Sequence, residues 1–251
     1  MTVDVKREGD VLVATLNRPD KKNALTGAMY RGLTEALTIA HAEAGIGAVL
    51  VTGAGGAFCA GNDIGDFLAE NAKGAEGART GPGGEFIRTL ARFDKPIVAA
   101  VEGAAIGVGT TMCLHCDLVY AAPSARFAMP FVNLGLVPEA GSSLLVPRRF
   151  GMAVATEMLM LGEAIDAVRA REIGLVNQVV AADGLFAHAL GRAKALAAKP
   201  RTALLATRKL MRGDAETLYA HMELELEAFA KALKSPEARA AFEAFAGRAR
   251  G

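Results

Sequence analysis

The stretch that decides the fold is Lys95-Pro96-Ile97-Val98-Ala99-Ala100-Val101-Glu102-Gly103-Ala104-Ala105-Ile106-Gly107-Val108-Gly109. Ile97 to Val101 is a continuous apolar run of strand length, as expected of a strand covered on both faces. Glycines at 103, 107 and 109 follow at once, and a helix is expected from near Gly107 to Cys116. Strand, glycine turn and helix in that order form the repeating unit of an α/β fold with a mostly parallel sheet.

The same rhythm runs outward in both directions. Upstream, Ala48 to Thr52 is an apolar strand broken by Gly53-Ala54-Gly55-Gly56. Before it, Val3 to Lys6 and Val11 to Leu16 read as strands around the turn Glu8-Gly9-Asp10. Thr26 is placed to cap a helix that carries Met29, Leu33, Leu37 and Ala40 at helical spacing. Leu118 to Ala121 reads as a further strand. The polar segment from Asp66 to Gly84, rich in Gly, Ala and Glu, reads as a mobile loop, with a helix at Glu85 to Ala91. Beyond Pro138 strand signals fade, apart from Leu175 to Val180. Helical patterns take over at Asp183 to Ala198, Arg201 to Met211 and Ala215 to Leu233. The expected division is an α/β core over 1–195 and a helical region over 196–251.

Composition excludes several classes. The net charge of +1 over 251 residues gives no general pull toward nucleic acid or an anionic membrane surface. No apolar run approaches the roughly 20 residues needed to span a bilayer. The segment Met1 to Asp10 lacks the apolar core of a signal peptide, so a cytoplasmic location is expected. Three cysteines, an odd count, argue against a disulfide framework. Cys113-Leu114-His115-Cys116 has no second pair with which to bind zinc, and buried thiols serve as small hydrophobes. The four histidines, His41, His115, His188 and His221, show no metal-ligand spacing.

Two junctions can carry chemistry. Phe58-Cys59-Ala60-Gly61-Asn62-Asp63-Ile64 and the turn from Gly103 to Thr111 each leave backbone N–H groups beside a helix start, where negative charge is favoured. Together they can grip one oxygen from two directions. Either alone is compatible with a plain turn. The second lacks the third glycine of a dinucleotide fingerprint. No GxSxG elbow is present, and Ser142 and Ser143 have no obvious histidine partner in the chain. Glu139 lies in the apolar turn Leu136-Val137-Pro138-Glu139-Ala140-Gly141. It suits either a helix N-terminal acid or a general base with a raised pKa.

Taken in order, these motifs resemble the crotonase, or enoyl-CoA hydratase/isomerase, superfamily. The resemblance rests on Asn17-Arg18-Pro19 with Asn23-Ala24-Leu25, on Ala57 to Asp63, and on Lys95 to Gly109. Cys116 to Ala121, Phe127 to Pro130, Gly174-Leu175-Val176-Asn177 and Ser235 to Arg248 complete it. It implies an α/β spiral of ββα units with a C-terminal trimerisation region, in a homotrimer or dimer of trimers. It implies a coenzyme A thioester as substrate, with no metal and no separate cofactor. It places the oxyanion-hole N–H groups at Asn62 and Val108. It puts CoA contacts at Arg18, Lys21, Ala24, Ala60, Asp63, Ile64, Phe245 and Arg248. The lysine that some members carry three residues after the first oxyanion residue is here Gly65. Where a hydratase of this superfamily carries two glutamates, this chain has Thr111 and Phe131. Glu139 instead matches the acid of one class of delta-3, delta-2 enoyl-CoA isomerases, with the pattern Pro138-Glu139-x-Gly-Ser-Ser. Isomerisation is therefore expected, against hydration, acyl-CoA hydrolysis or idle acyl-CoA binding.

Overall fold

A computed structural model of the chain describes residues 3–71 and 80–248, with side chains at 68–71 and 245–248 outside the described set. Among the described residues nine strands form two sheets. The larger has six, in the order β1 (Val3–Glu8), β2 (Val11–Leu16), β3 (Ala48–Gly53), β4 (Ile97–Val101), β6 (Leu118–Ala121) and β9 (Gln178–Val179). Within this sheet the β1–β2 hairpin is antiparallel, and β2, β3, β4, β6 and β9 run parallel. The smaller sheet pairs β5 (Ala104–Ile106), β7 (Arg126–Ala128) and β8 (Ile165–Asp166).

Continuous apolar runs follow from burial on both faces. Val11, Val13, Ala48, Leu50, Val98 and Ala100 point to one side, against Leu185, Ala189 and Ala193 of α8 (Ala182–Ala197). Leu12, Ala14, Val49, Val51, Ile97 and Ala99 point to the other, into the main core. That core is shared with α1 (Gly27–Ala42), capped by the Thr26 hydroxyl on the Met29 N–H. Lys95 of the opening stretch is structural. Its ammonium sits on the Ala40 and Glu43 carbonyls at 2.5 and 2.8 Å, closing the C-terminal end of α1.

Three expectations need correction. The described ends of the Asp66 to Gly84 segment are helical and not loop: α2 spans Ile64–Asn71 and α3 spans Pro82–Arg92, while 72–79, where the rest of that expectation falls, lie outside the described residues. Pro82 occupies the first turn of α3, where its missing N–H costs nothing. The stretch after Gly103 is not only a turn, because Ala104–Ile106 forms β5 before α4 (Val108–Leu114) begins. Finally α4 ends at Leu114, so Cys116 lies beyond it.

The chain continues through α5 (Ser142–Phe150), α6 (Met152–Ala155), α7 (Ala167–Glu172) and, after α8, through α9 (Arg201–Arg212), α10 (Ala215–Ala232) and α11 (Pro236–Arg248). Asp117 fastens α9 to the sheet, accepting from Arg208 at 2.9 Å and Arg212 at 3.0 Å. No described helix is long and apolar enough to cross a membrane.

Candidate active site

The two glycine turns are stitched together. Cys59 N–H donates to Ala104 O at 2.8 Å and Ile106 N–H to Cys59 O at 2.9 Å. This close approach explains Gly109, where a Cβ would come within 2.7 Å of the Cys59 carbonyl. It explains Gly103 too, with φ +59 and a Cβ position that overlaps the Gly56 carbonyl. On the other side of the first turn, Leu25 N–H bonds Gly61 O and Asp63 N–H bonds Leu25 O. In such a parallel bridge the N–H of Asn62 points away from Leu25. That N–H and the one of Val108, first residue of α4, have no acceptor among the described residues.

The residues expected around the substrate's carrier group also come together in part. Arg18 reaches both the Ala24 carbonyl (3.2 Å) and the Asp63 carboxylate (2.8 Å). Arg18 beside it holds the Asp63 carboxyl below its ordinary range. Ala60 N–H bonds the Lys22 carbonyl, Lys21 is exposed at the end of the 3-10 turn Pro19–Lys21, and Ile64 opens α2. Arg18 is thus committed to Asp63, a partner the sequence did not reveal. Buried Asn23, with φ +57, ties the arrangement down by accepting from Arg18 N–H and donating to Ala54 O and Ala57 O. Phe245 and Arg248 lie on α11, but their side chains fall outside the described residues.

A cleft of about 680 Å³, open mouth included, lies beside the Asn62 turn. Its walls are largely apolar: Leu25, Phe67, Ile87, Leu226 and Phe229, with Asn62, Tyr30, Asp66 and Glu139 as polar groups. The Asp66 carboxylate accepts the Gly27 N–H at the start of α1. Val108 does not line the cleft; its side chain is buried in the core. Leu226 and Phe229 come from α10, so the helical region completes a site that the first 195 residues leave open.

Glu139 is the buried acid of this cleft, with 8% of its surface exposed. Burial pushes its pKa from 4.5 to about 7, the Thr111 hydroxyl at 2.5 Å pulls it down, and the charge of Glu225 pushes it up. The carboxyl thus titrates near neutrality, the range suited to a general base. Thr111, which stands where a hydratase of the superfamily has a glutamate, is a hydrogen-bond donor to this acid. Phe131 is packed in the core.

The turn that holds Glu139 is strained. Ala140 has φ +57, a conformation costing a non-glycine residue about 1–2 kcal/mol. His115 steadies it, with Nε2 at 2.8 Å from the Ala140 carbonyl. Since a carbonyl only accepts, Nε2 carries the hydrogen. Burial depresses the His115 pKa to about 4, helped by Arg212, Arg149 and Arg208. Thr111 on α4 and His115 just past its end thus both reach the Glu139 turn.

Sequence reasoning missed two partners here. Tyr30 donates to Asn62 Oδ1 at 2.5 Å and lies against Phe86, with ring centres 5.7 Å apart. Burial, with the Glu139 charge nearby, pushes its pKa well up, so it stays a donor. Ser143 does have a histidine partner: its Oγ lies 2.7 Å from His221 Nε2. The 78 residues between them hid the pair. Ser143 is not among the cleft-lining residues, and its hydroxyl bonds Glu225 at 2.5 Å. Cys113 and Cys116 are buried, with Sγ groups on the Gly109 and Met112 carbonyls. Among the described residues no His, Cys, Asp and Glu cluster could hold a metal ion.

Sheet, turns and cleft together define an α/β enzyme of the crotonase class. The chain belongs to the enoyl-CoA hydratase/isomerase family, whose model matches residues 6–250. It is 34% identical over 250 residues to 1,2-epoxyphenylacetyl-CoA isomerase of Escherichia coli K12, covering 95% of this chain and 92% of that one. It is 36% identical over 212 residues to the 2,3-dehydroadipyl-CoA hydratase of the same organism, covering 84% and 82%. Among solved structures it resembles Pseudomonas aeruginosa OdaA, with a TM-score of 0.92, 42% identity, and coverage of 97% and 98%. An enoyl-CoA hydratase/isomerase from Pseudoalteromonas atlantica T6c matches with a TM-score of 0.92 and 39% identity, over 99% and 98%.

Proposed function

We propose that the protein is an enoyl-CoA isomerase that moves the double bond of a 3-enoyl-CoA to the 2 position. The thioester oxygen of the substrate sits between the N–H groups of Asn62 and Val108. Glu139 takes a proton from C2, and the C2–H electrons enter a dienolate spanning the oxygen, C1, C2, C3 and C4. The same carboxyl returns the proton to C4; the C2=C3 bond forms as the thioester carbonyl is restored. One base is enough, and each prepositioned donor to the enolate oxygen is typically worth roughly 3 kcal/mol. Apolar walls from Phe67, Ile87, Leu226 and Phe229 take the acyl chain and keep water from the dienolate. Arg18, Lys21, Ala24, Ala60, Asp63 and Ile64 form the side expected to meet the CoA group, with Phe245 and Arg248 contributed from α11. A homotrimer or dimer of trimers goes with this reading, supported by Leu210 and Met211, which stand 84% and 81% exposed on α9.

The observation that carries the proposal is Glu139, a buried acid of the cleft near neutrality whose neighbour at the hydratase glutamate position is the Thr111 hydroxyl. Water addition calls for a second acid–base group to handle the water. The test is turnover of a 3-enoyl-CoA and a 2-enoyl-CoA by the wild-type protein and Glu139→Gln. The expected result is isomerisation of the first, little hydration of the second, and loss of isomerisation in the variant. Rapid hydration of the 2-enoyl-CoA, or full isomerisation by Glu139→Gln, overturns the proposal.

A further inference from the structure

The Glu139 turn is gripped from a second side by α10. Glu225 is buried, 6% exposed, and its carboxylate accepts three hydrogen bonds. Gly141 N–H donates to Oε2 at 2.5 Å, Ser143 N–H to Oε1 at 2.8 Å, and the Ser143 hydroxyl to Oε1 at 2.5 Å. Because the Ser143 hydrogen is spent on Glu225, His221 Nε2 is the donor to Ser143 Oγ. The two N–H groups are those of Gly141, the left-handed N-cap of α5 (φ +74) directly after strained Ala140, and of Ser143 in the first turn of α5. The next residue along α10, Leu226, and Phe229 line the cleft. One helix therefore touches both the acyl side of the cleft and the turn that aims the acid.

We propose that Glu225 is the positioning residue for Glu139: a carboxylate on the C-terminal helical region that locks the strained turn and holds a fixed negative charge behind the proton-transferring carboxyl. This inference rests on Glu139 being the base. The groups facing Glu139 are Thr111 from α4, Tyr30 from α1, Cys59 from the first turn, and Glu225. Those facing Glu225 are Ser143 on α5 and His221 on α10, the latter 3.9 Å away. A negative charge behind Glu139 disfavours its ionisation, so it makes the carboxylate a stronger base once formed.

The experiment measures kcat, KM and the pH profile of 3-enoyl-CoA isomerisation in Glu225→Gln, Glu225→Ala and Glu139→Gln, with folding followed by circular dichroism. In Glu225→Gln the acid limb of the kcat profile is expected to move to lower pH, because the charge is gone while one acceptor oxygen remains. In Glu225→Ala, kcat is expected to fall tenfold or more while KM changes less than threefold. A wild-type kcat and pH profile in both Glu225 variants overturns the positioning role. Should Glu225→Ala fail to fold, the pH profile of Glu225→Gln decides alone, and an unmoved acid limb rejects the proposal. Full activity in Glu139→Gln instead strikes the base assignment, so the two failures are distinct.

Discussion

Replacing Glu139 with glutamine should stabilise the protein, and more so as the pH rises. Glutamine keeps the shape and retains an oxygen for the Thr111 hydroxyl, but it cannot ionise. In the fold the Glu139 pKa is raised from 4.5 to about 7, chiefly by burial. A raised carboxyl pKa means that the fold prefers the protonated acid. Its stability contribution is complete below about pH 4.5 and is lost as pH rises through about 7. At ~1.4 kcal/mol per pKa unit the full loss is about 3 kcal/mol. Integrated along the curve, the wild-type penalty is about 1 kcal/mol at about pH 5 and about 3 kcal/mol at about pH 8. The variant escapes both, so its advantage should grow between these pH values. Urea unfolding at the two pH values and one fixed protein concentration measures it, provided the m-value is unchanged. An advantage that is the same at both, or a less stable variant at the higher pH, would refute the claim of a desolvated carboxyl.

Further predictions follow from the same contacts. Thr111→Val removes the donor that lowers the Glu139 pKa, so the acid limb of the rate profile should rise by about one pH unit; a limb that stays in place contradicts the Thr111 contact. Tyr30→Phe frees Asn62 Oδ1 and loses a hydrogen bond worth about 1 kcal/mol, so kcat should fall roughly fivefold with little change in KM, as steady-state kinetics will show. Cys59, Cys113 and Cys116 are all buried, with their thiol pKa values pushed up by burial, Cys59 and Cys116 to about 12. A thiol reagent near pH 8 should therefore label the native protein slowly and all three thiols quickly in urea.

Much of this is legible in the sequence, for physical reasons. Ile97–Val101 and Leu118–Ala121 are visible because a strand buried on both faces must be apolar throughout. The glycine turns are visible because close backbone contact at Gly103 and Gly109 tolerates no side chain. Strands of two or three residues, such as Ile165–Asp166, carry too little pattern to be seen. The α2 helix is masked by its polar, glycine-containing neighbourhood. Glu139 stands out by its apolar setting, but its partners do not. Thr111 reaches it across 28 residues, and His115 and Glu225 hold its turn at Ala140 and Gly141 across 25 and 84, through contacts that leave no local signature. Ser143 and His221 escaped notice for the same reason.

The central claim is that one carboxyl carries one proton from C2 to C4. A 3-enoyl-CoA deuterated at C2, converted in ordinary water under single-turnover conditions, tests it directly by mass spectrometry and NMR of the product. A single-base shuttle in a dry cleft predicts that a measurable share of the deuterium reappears at C4, and that Glu139→Gln abolishes the transfer. No deuterium at C4, with turnover intact in Glu139→Gln, would contradict the account.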